Sequence, residues 1–83
     1  MQLRSESITW REIDGELVIL DTERSVYLTT NASGTHLAKL LTSERTADEL
    51  ADALVEQYGI DRETAVADVA AFVAQLQAKG LLR

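Results

Sequence analysis

The sequence predicts an α+β domain in which three short antiparallel strands are followed by three helices. Between residues 8 and 30, short runs of β-branched, aromatic and aliphatic residues are separated by two polar turns, which is typical of strands. From residue 31 onward, apolar residues recur every three or four positions behind helix-capping residues, which indicates amphipathic helices. Strands first and helices afterwards is the order of an α+β fold.

The first two strands form a predicted hairpin. Ile8 and Trp10 alternate with polar residues, so the first strand is expected to bury one face, with Trp10 in the core. Asp14-Gly15 is typical of a type I′ turn, whose two central residues both need a positive φ. The unbroken apolar run 17–20 favours a central strand that is covered on both faces.

The third strand is predicted to be the stretch Ser25-Val26-Tyr27-Leu28-Thr29-Thr30, which contains neither a charge nor a proline. In a simple meander this strand lies at an edge of the sheet, with a row of unpaired backbone N–H and C=O groups. Lysine, proline or a bulge usually protects such an edge, and the stretch has none of them. The edge is therefore either covered by another part of the fold or kept free for a partner.

Capping residues mark the first two helices. Asn31 is a predicted N-cap, and Thr46 and Glu49 form a capping box. Gly59 occupies the position of a left-handed C-cap, and Gly34 is expected to let another backbone come close. The predicted features are an apolar stripe of Leu37, Leu40 and Leu41, a second stripe of Ala47, Leu50, Ala51, Leu54, Val55 and Tyr58, and a solvated acidic face of Asp48, Asp52 and Glu56.

The third helix should begin after Asp61 and end at about Lys79, before Gly80. It has two neighbouring apolar stripes, which are Ala65, Val69, Phe72 and Leu76, and Val66, Ala70 and Val73. One stripe must pack in the core. The second is either covered by the first two helices or lines a groove against the open third strand.

Composition excludes several classes of function. The formal net charge of −6 argues against nucleic acid, because binding to phosphates depends on Lys and Arg. The third helix of a winged-helix DNA binder should be basic, and here Arg62 and Lys79 are offset by Glu63 and Asp68.

No apolar run is long enough for a bilayer, and the N-terminus lacks the core of a signal peptide, so we expect a cytoplasmic protein without a membrane partner. The 83 residues predict a single domain, with a polar and flexible segment at residues 1–7.

Catalytic and metal sites are not expected. The chain has no cysteine, and its one histidine, His36, does not make a metal site by itself. Ser33 lies three residues before His36 on the same helix, and no third group at readable spacing would orient the imidazole as a catalytic triad requires. The attachment motif Asp-Ser-Leu of a carrier protein is absent as well.

From residue 14 onward the chain resembles the PqqD-like family of peptide-binding domains, which are known as RiPP recognition elements and act on ribosomally made, modified peptides. Its size is similar to that of the stand-alone members in lasso peptide pathways. The matching positions are Asp14-Gly15, the aliphatic strand ending in Asp21, Asn31-x-x-Gly34, Leu40-Leu41, Thr46-x-x-Glu49-Leu50, Tyr58, Asp68-Val69-x-x-Phe72-Val73-x-x-Leu76 and Gly80-Leu81-Leu82.

This resemblance implies a winged-helix-like domain that performs no chemistry and needs no cofactor. It implies that the leader segment of a precursor peptide adds as a strand beside the third strand, with side chains in a groove formed with the third helix. The domain would present the precursor to a leader peptidase and a cyclase, as a monomer or a weak homodimer. The expected peptide-binding residues are Ser25, Val26, Tyr27, Leu28, Thr29, Ala65, Asp68, Val69, Phe72 and Leu76, with Asp68 at the rim facing a basic residue of the leader.

An uncharged open strand beside an apolar helix face is also what strand addition requires physically, because main-chain bonds give affinity and side-chain pockets give specificity. Two alternatives stay open. The chain could serve another class of ribosomally made peptide, or it could pair edge to edge with a second copy and bind no peptide.

Overall fold

The computed structural model describes all 83 residues and has the predicted order of elements. The strands are β1 (Ile8–Ile13), β2 (Glu16–Asp21) and β3 (Val26–Thr30), and the helices are α1 (Ala32–Leu40), α2 (Ala47–Tyr58) and α3 (Arg62–Ala78). The sheet is antiparallel in the order β1-β2-β3, so β3 lies at an edge. The α+β prediction is confirmed.

Local sequence signals determine the turns and the helix ends. Asp14 and Gly15 have φ values of 53° and 81°, as the type I′ turn requires. Asn31 accepts a hydrogen bond from the Gly34 N–H at the start of α1. The capping box predicted at the start of α2, the left-handed C-cap of α2 and the Asp61 N-cap of α3 are all present. These short-range predictions are confirmed because each depends on only a few neighbouring residues.

The helices cover only one face of the sheet. Leu17 and Ile19 of β2 are buried, whereas Leu20 is 38% exposed on the other face, so the prediction of a strand covered on both faces is wrong. Trp10 shares the covered face with its partner Ile19, yet it is 36% exposed. Helix α1 packs on β2 and β3 and leaves the far edge strand β1 open, and the expected core position of Trp10 is therefore wrong too.

One apolar core joins the sheet to the three helices. Its buried members are Leu3, Leu17, Ile19, Leu28, Leu37, Ala38, Leu41, Leu50, Ala51, Leu54, Ala65, Val69, Phe72, Leu76 and Leu81. Helix α3 packs mainly on α2 rather than on β3. This leaves a space beside β3, which forms the candidate site described below.

Residues 1–4 pack onto the body of the domain, where the polar composition predicted a flexible segment. Leu3 is 3% exposed and forms an isolated antiparallel bridge with Leu82. Its N–H donates to the Leu41 carbonyl at 2.9 Å. Two apolar residues, Met1 and Leu3, are too few to give a periodic signal, so this tertiary contact was not visible in the sequence.

The acidic outer face of α2 is not simply solvated. Arg62, at the start of α3, donates to Asp48 at 3.3 Å and also pairs with Asp52. The sequence interpretation considered only α2, which carries no basic residue of its own. The pairs are exposed, and such pairs contribute little to stability.

A buried ion pair connects the N-terminal segment to the turn between β2 and β3. The Arg4 guanidinium donates to the fully buried carboxylate of Asp21 at 3.1 Å. The N–H groups of Glu23 and Arg24 donate to the other carboxylate oxygen, each at 3.1 Å. Burial is the largest influence on this carboxyl and raises its pKa, but the hydrogen bonds from Arg24, Arg4 and Glu23 outweigh it and hold the pKa of Asp21 below 3.8.

Replacing Asp21 by asparagine is expected to lower the melting temperature at neutral pH, because the Arg4 charge loses its partner. A folded-state pKa below the unfolded value means that the carboxylate contributes fully above about pH 5, and that this contribution is lost as the pH falls through the lowered value. The difference between wild type and Asp21→Asn should therefore stay constant from neutral pH to about pH 5 and shrink below about pH 4. Thermal melts across this range test it, and equal melting temperatures at neutral pH would contradict it.

Candidate functional site

The open edge of β3 borders two adjoining depressions. One has a volume of about 310 Å³ and the other about 390 Å³, and they share Thr29. Together we name them the β3–α3 groove. The first is lined by Thr29, Thr30, Asn31, Ser33, Gly34, Leu37, Asp68, Ala71, Phe72 and Gln75, and the second by Ser25, Val26, Tyr27, Leu28, Thr29 and Lys79. The five residues predicted to bind along the third strand thus lie along it, but Ser25 belongs to the preceding turn, with a φ of 55°, and not to β3.

The strand register shows which backbone groups of β2 point toward β1. The Thr22 N–H donates to the Ser7 carbonyl at 2.9 Å, so these residues form a hydrogen-bonded pair just beyond the end of the β1–β2 ladder. Hydrogen-bonded and non-bonded pairs alternate along an antiparallel ladder. Leu20 and Val18, two and four residues before Thr22, therefore bond to β1 as well.

The intervening residues of β2 bond to β3. Ile19 pairs with Leu28 and Asp21 pairs with Val26, so the N–H and C=O groups of Leu28 and Val26 are used inside the sheet. The backbone groups of Tyr27 and Thr29 consequently point away from the sheet, at the open edge. They offer two donors and two acceptors to an added strand.

The side chains of β3 present two different faces. Leu28 is buried on the face that the helices cover, and Tyr27 is 61% exposed on the other face. No residue of the strand is charged. A strand added to this edge would alternate its own side chains in the same way, so every second side chain would point toward the groove.

One row of residues on α3 and its C-cap forms the far wall of the groove. Its members are Asp68, Ala71, Phe72, Gln75 and Lys79, and their spacing of three or four residues places them on one side of the helix. Sequence analysis selected Asp68 and Phe72 from this row. It missed the other three because the search followed apolar periodicity, and most of this row is polar or small.

The other three predicted residues of α3 lie in the core. Ala65 and Leu76 are fully buried, and Val69 is nearly so. None of the three lines the β3–α3 groove. They attach α3 to the core on the side away from the groove. Of the predicted residues of α3, Phe72 alone belongs to both the core stripe and the groove wall.

The second apolar stripe of α3 faces a different part of the molecule. Val66 is 47% exposed, and it lines a depression of about 150 Å³ with Ala70 and Val73. The start of α2 and Met1 complete this depression. The alternative that this stripe lines a groove against β3 is therefore wrong.

The floor of the groove is closely packed at Gly34. A Cβ atom at this position would lie 2.9 Å from the Thr30 Cβ and 3.3 Å from the Phe72 ring. The predicted close approach to Gly34 is real, but side chains make it instead of a backbone. The hydroxyl groups of Thr30 and Thr35 lie 2.9 Å apart and form a buried hydrogen bond beneath. The Phe72 ring therefore lies directly beside Gly34 in the first turn of α1.

The polar side chains of Ser33 and His36 in α1 have structural partners. The Ser33 hydroxyl donates to Asn31 Oδ1 at 2.9 Å, and not to His36. The His36 ring packs edge-on against Tyr58, with ring centroids 6.2 Å apart. No three His, Cys, Asp or Glu side chains are grouped as metal ligands would be. None of the three helices combines the length and apolar character that a membrane span needs.

Comparison with known proteins identifies the family. The sequence profile of coenzyme PQQ synthesis protein D (PqqD) matches residues 16–82. Among curated proteins, no sequence matches significantly. Two solved structures are similar to the whole fold. The first is TbiB1 in complex with the TbiA(beta) leader peptide, with a TM-score of 0.86 and 30% identity over 100% of this chain and 95% of that chain.

The second is a lasso peptide synthetase B1 complexed with the leader peptide. It has a TM-score of 0.80 and 26% identity, and the match covers 96% of this chain and 93% of that chain. Both similarities extend over β1, which the family profile does not reach. Since the profile covers most of the sequence and the predicted resemblance is confirmed, the chain belongs to the PqqD family.

Proposed function

We propose that this protein binds the leader segment of a ribosomally made precursor as a fourth strand beside β3 and presents it to the leader peptidase and cyclase of a lasso peptide pathway. The observation that carries the proposal is the uncharged open edge of β3, with the outward backbone groups of Tyr27 and Thr29 beside the β3–α3 groove. The two similar structures, both leader-peptide complexes, support it. In this proposal the chain acts in the cytoplasm and has no catalytic role.

Main-chain pairing alone is too weak for this function. Each hydrogen bond contributes a net of about 1 kcal/mol, so four bonds to Tyr27 and Thr29 supply about 4 kcal/mol. A micromolar dissociation constant corresponds to about 8 kcal/mol, and ordering a flexible leader opposes binding. The groove must therefore contribute as much as the strand edge does. Apart from the strand residues themselves, its apolar contacts are Leu37, Ala71 and Phe72.

The wall and floor of the groove are suited to that contribution. Phe72 packs in the core and its ring lies beside Gly34, so little conformational entropy is lost when a leader side chain packs on it. Of the two depressions, the one beside Phe72 has a volume of about 310 Å³, which is at the small end of ligand pockets. It fits one or two side chains of an added strand and not a large cofactor.

The precursor is first sought among the genes that neighbour the gene of this protein, and the direct test is calorimetric titration with its leader. A scrambled peptide of the same composition is the matched control. We expect saturable one-to-one binding of the leader and none of the scrambled peptide. Equal binding of both peptides, or of neither, would reject the proposal.

Hydrogen exchange is expected to locate the added strand. The N–H groups of Val26 and Leu28 bond inside the sheet, so they should exchange slowly with and without leader. The N–H groups of Tyr27 and Thr29 point outward and should become protected only in the complex. NMR gives the exchange rates of all four N–H groups in one sample. Fast exchange at Tyr27 and Thr29 in the saturated complex would contradict strand addition.

An edge-paired homodimer remains the second candidate, because the same open edge can accept another copy of β3. Sedimentation equilibrium without peptide distinguishes the two. A monomer that binds leader supports the proposal, whereas a dimer that the leader does not dissociate favours the homodimer.

A further inference from the structure

The two ends of the β3–α3 groove carry opposite charges. Lys79 lines the groove beside the first residues of β3, and Asp68 lines it beside Thr29, Thr30 and Asn31. Neither side chain belongs to any ion pair of the structure. Both charges are exposed and available to an occupant of the groove.

A second cation strengthens the positive end. The Arg24 guanidinium donates to the Gly80 carbonyl at 3.4 Å, one residue beyond Lys79, and has no carboxylate partner. Arg4 also reaches this carbonyl, but its charge is balanced by Asp21. With a formal net charge of −6, the protein otherwise repels acidic peptides, so this end is a local exception.

The spacing of the two charges fits an extended peptide. Lys79 follows Asp68 by eleven positions along α3 and its C-terminal cap, which corresponds to about 16 Å at 1.5 Å per residue. An extended strand covers this distance in roughly five residues. A leader lying along β3 therefore reaches both charges within one short segment.

We propose that these charges select leaders by charge order, with an acidic residue at the Lys79 end and a basic residue at the Asp68 end, roughly four to six residues apart. The inference rests on the proposed function and adds a determinant of direction. A peptide lying in the opposite direction would bring like charges together at both ends, while its main-chain hydrogen bonds could still form. Exposed rim charges act mainly on specificity and association rate, which suits this role.

A purely structural role for the charges predicts something different. Lys79 caps the C-terminus of α3, where a cation stabilises the helix dipole without any peptide. Asp68 would then be an ordinary solvated residue. In that case neither residue would affect whether Lys or Glu at a given peptide position gives tighter binding. The experiment must therefore measure this preference at each position.

The experiment uses the leader that binds in the titration above. Single Lys and single Glu substitutions are placed at successive positions across the segment that pairs with β3. Wild type should prefer Lys over Glu by about two- to tenfold at positions near Asp68, and Glu over Lys by a similar factor near Lys79. The double variant Asp68→Lys with Lys79→Glu keeps the net charge and should invert both preferences.

Two further variants complete the design. Glu56→Lys makes the same charge change as Asp68→Lys, but on the outer face of α2 and away from the groove. It should change the affinity for all peptides by the same factor. Asp68→Asn should reduce the salt dependence of binding for peptides with Lys at the nearby position. Unchanged positional preferences in the double variant, with wild type still binding leader, would overturn this inference alone. Absence of any leader binding to wild type would instead overturn the proposed function.

Discussion

Tyr27→Pro is expected to give a folded protein that no longer binds the leader, whereas Val26→Pro is expected to destabilise the fold. The two positions are neighbours in an uncharged edge strand, but their backbone groups point in opposite directions. The Val26 N–H bonds to Asp21 of β2, and the Tyr27 N–H points to the open edge. Proline removes the N–H without adding a charge, and edge strands tolerate it where the N–H faces outward.

The expected magnitudes separate the two outcomes. Val26→Pro leaves the Asp21 carbonyl without its donor inside the sheet, which lowers the free energy of unfolding by about 1 to 3 kcal/mol. Tyr27→Pro removes one hydrogen bond to the leader. The proline ring also occupies the place where a carbonyl group of the leader would lie. We expect at least about tenfold weaker binding, which corresponds to about 1.4 kcal/mol.

Alanine variants are the matched controls because both proline substitutions also remove a side chain. Denaturant unfolding and calorimetric titration of Val26→Ala and Tyr27→Ala give the reference values. If Tyr27→Pro binds leader as tightly as Tyr27→Ala does, the leader does not pair with β3 and the strand-addition mechanism is wrong.

The sequence predicted well those features that depend on neighbouring residues. The Asp14-Gly15 turn needs two positive φ values, and the capping box needs a hydroxyl and a carboxylate three residues apart. The uncharged third strand followed from a run of six residues, of which the last five form β3. Each feature is determined within one turn or one strand, so the residues alone were sufficient.

The wall of the groove could not be predicted in the same way. Apolar periodicity identified two stripes of α3, but the face that meets β3 depends on how α3 packs against α2. The row that lines the groove contains Asp68, Gln75 and Lys79, and a site that meets solvent gives no apolar signal. Likewise, the outward direction of Tyr27 depends on the register of all three strands, which only the structure supplies.

Phe72→Ala is expected to lower both stability and leader affinity, whereas Leu76→Ala should lower stability alone. Phe72 belongs to the core and also forms the groove wall beside Gly34, and Leu76 lies one helical turn further along α3 with no exposed surface. Truncating a buried Phe lowers the free energy of unfolding by about 3 to 5 kcal/mol, and truncating a buried Leu by about 2 to 5 kcal/mol.

Milder variants keep the comparison interpretable if the alanine variants do not fold. Phe72→Leu retains much of the buried volume but loses the flat ring surface that faces the groove, and Leu76→Val is its counterpart in the core. Chemical denaturation gives the stability of each variant, and titration with leader under conditions where each is fully folded gives its affinity. Phe72→Leu should then bind more weakly than Leu76→Val, even where the two are equally stable. Wild-type affinity in a folded Phe72 variant would show that the ring supports the core only and does not contact the leader.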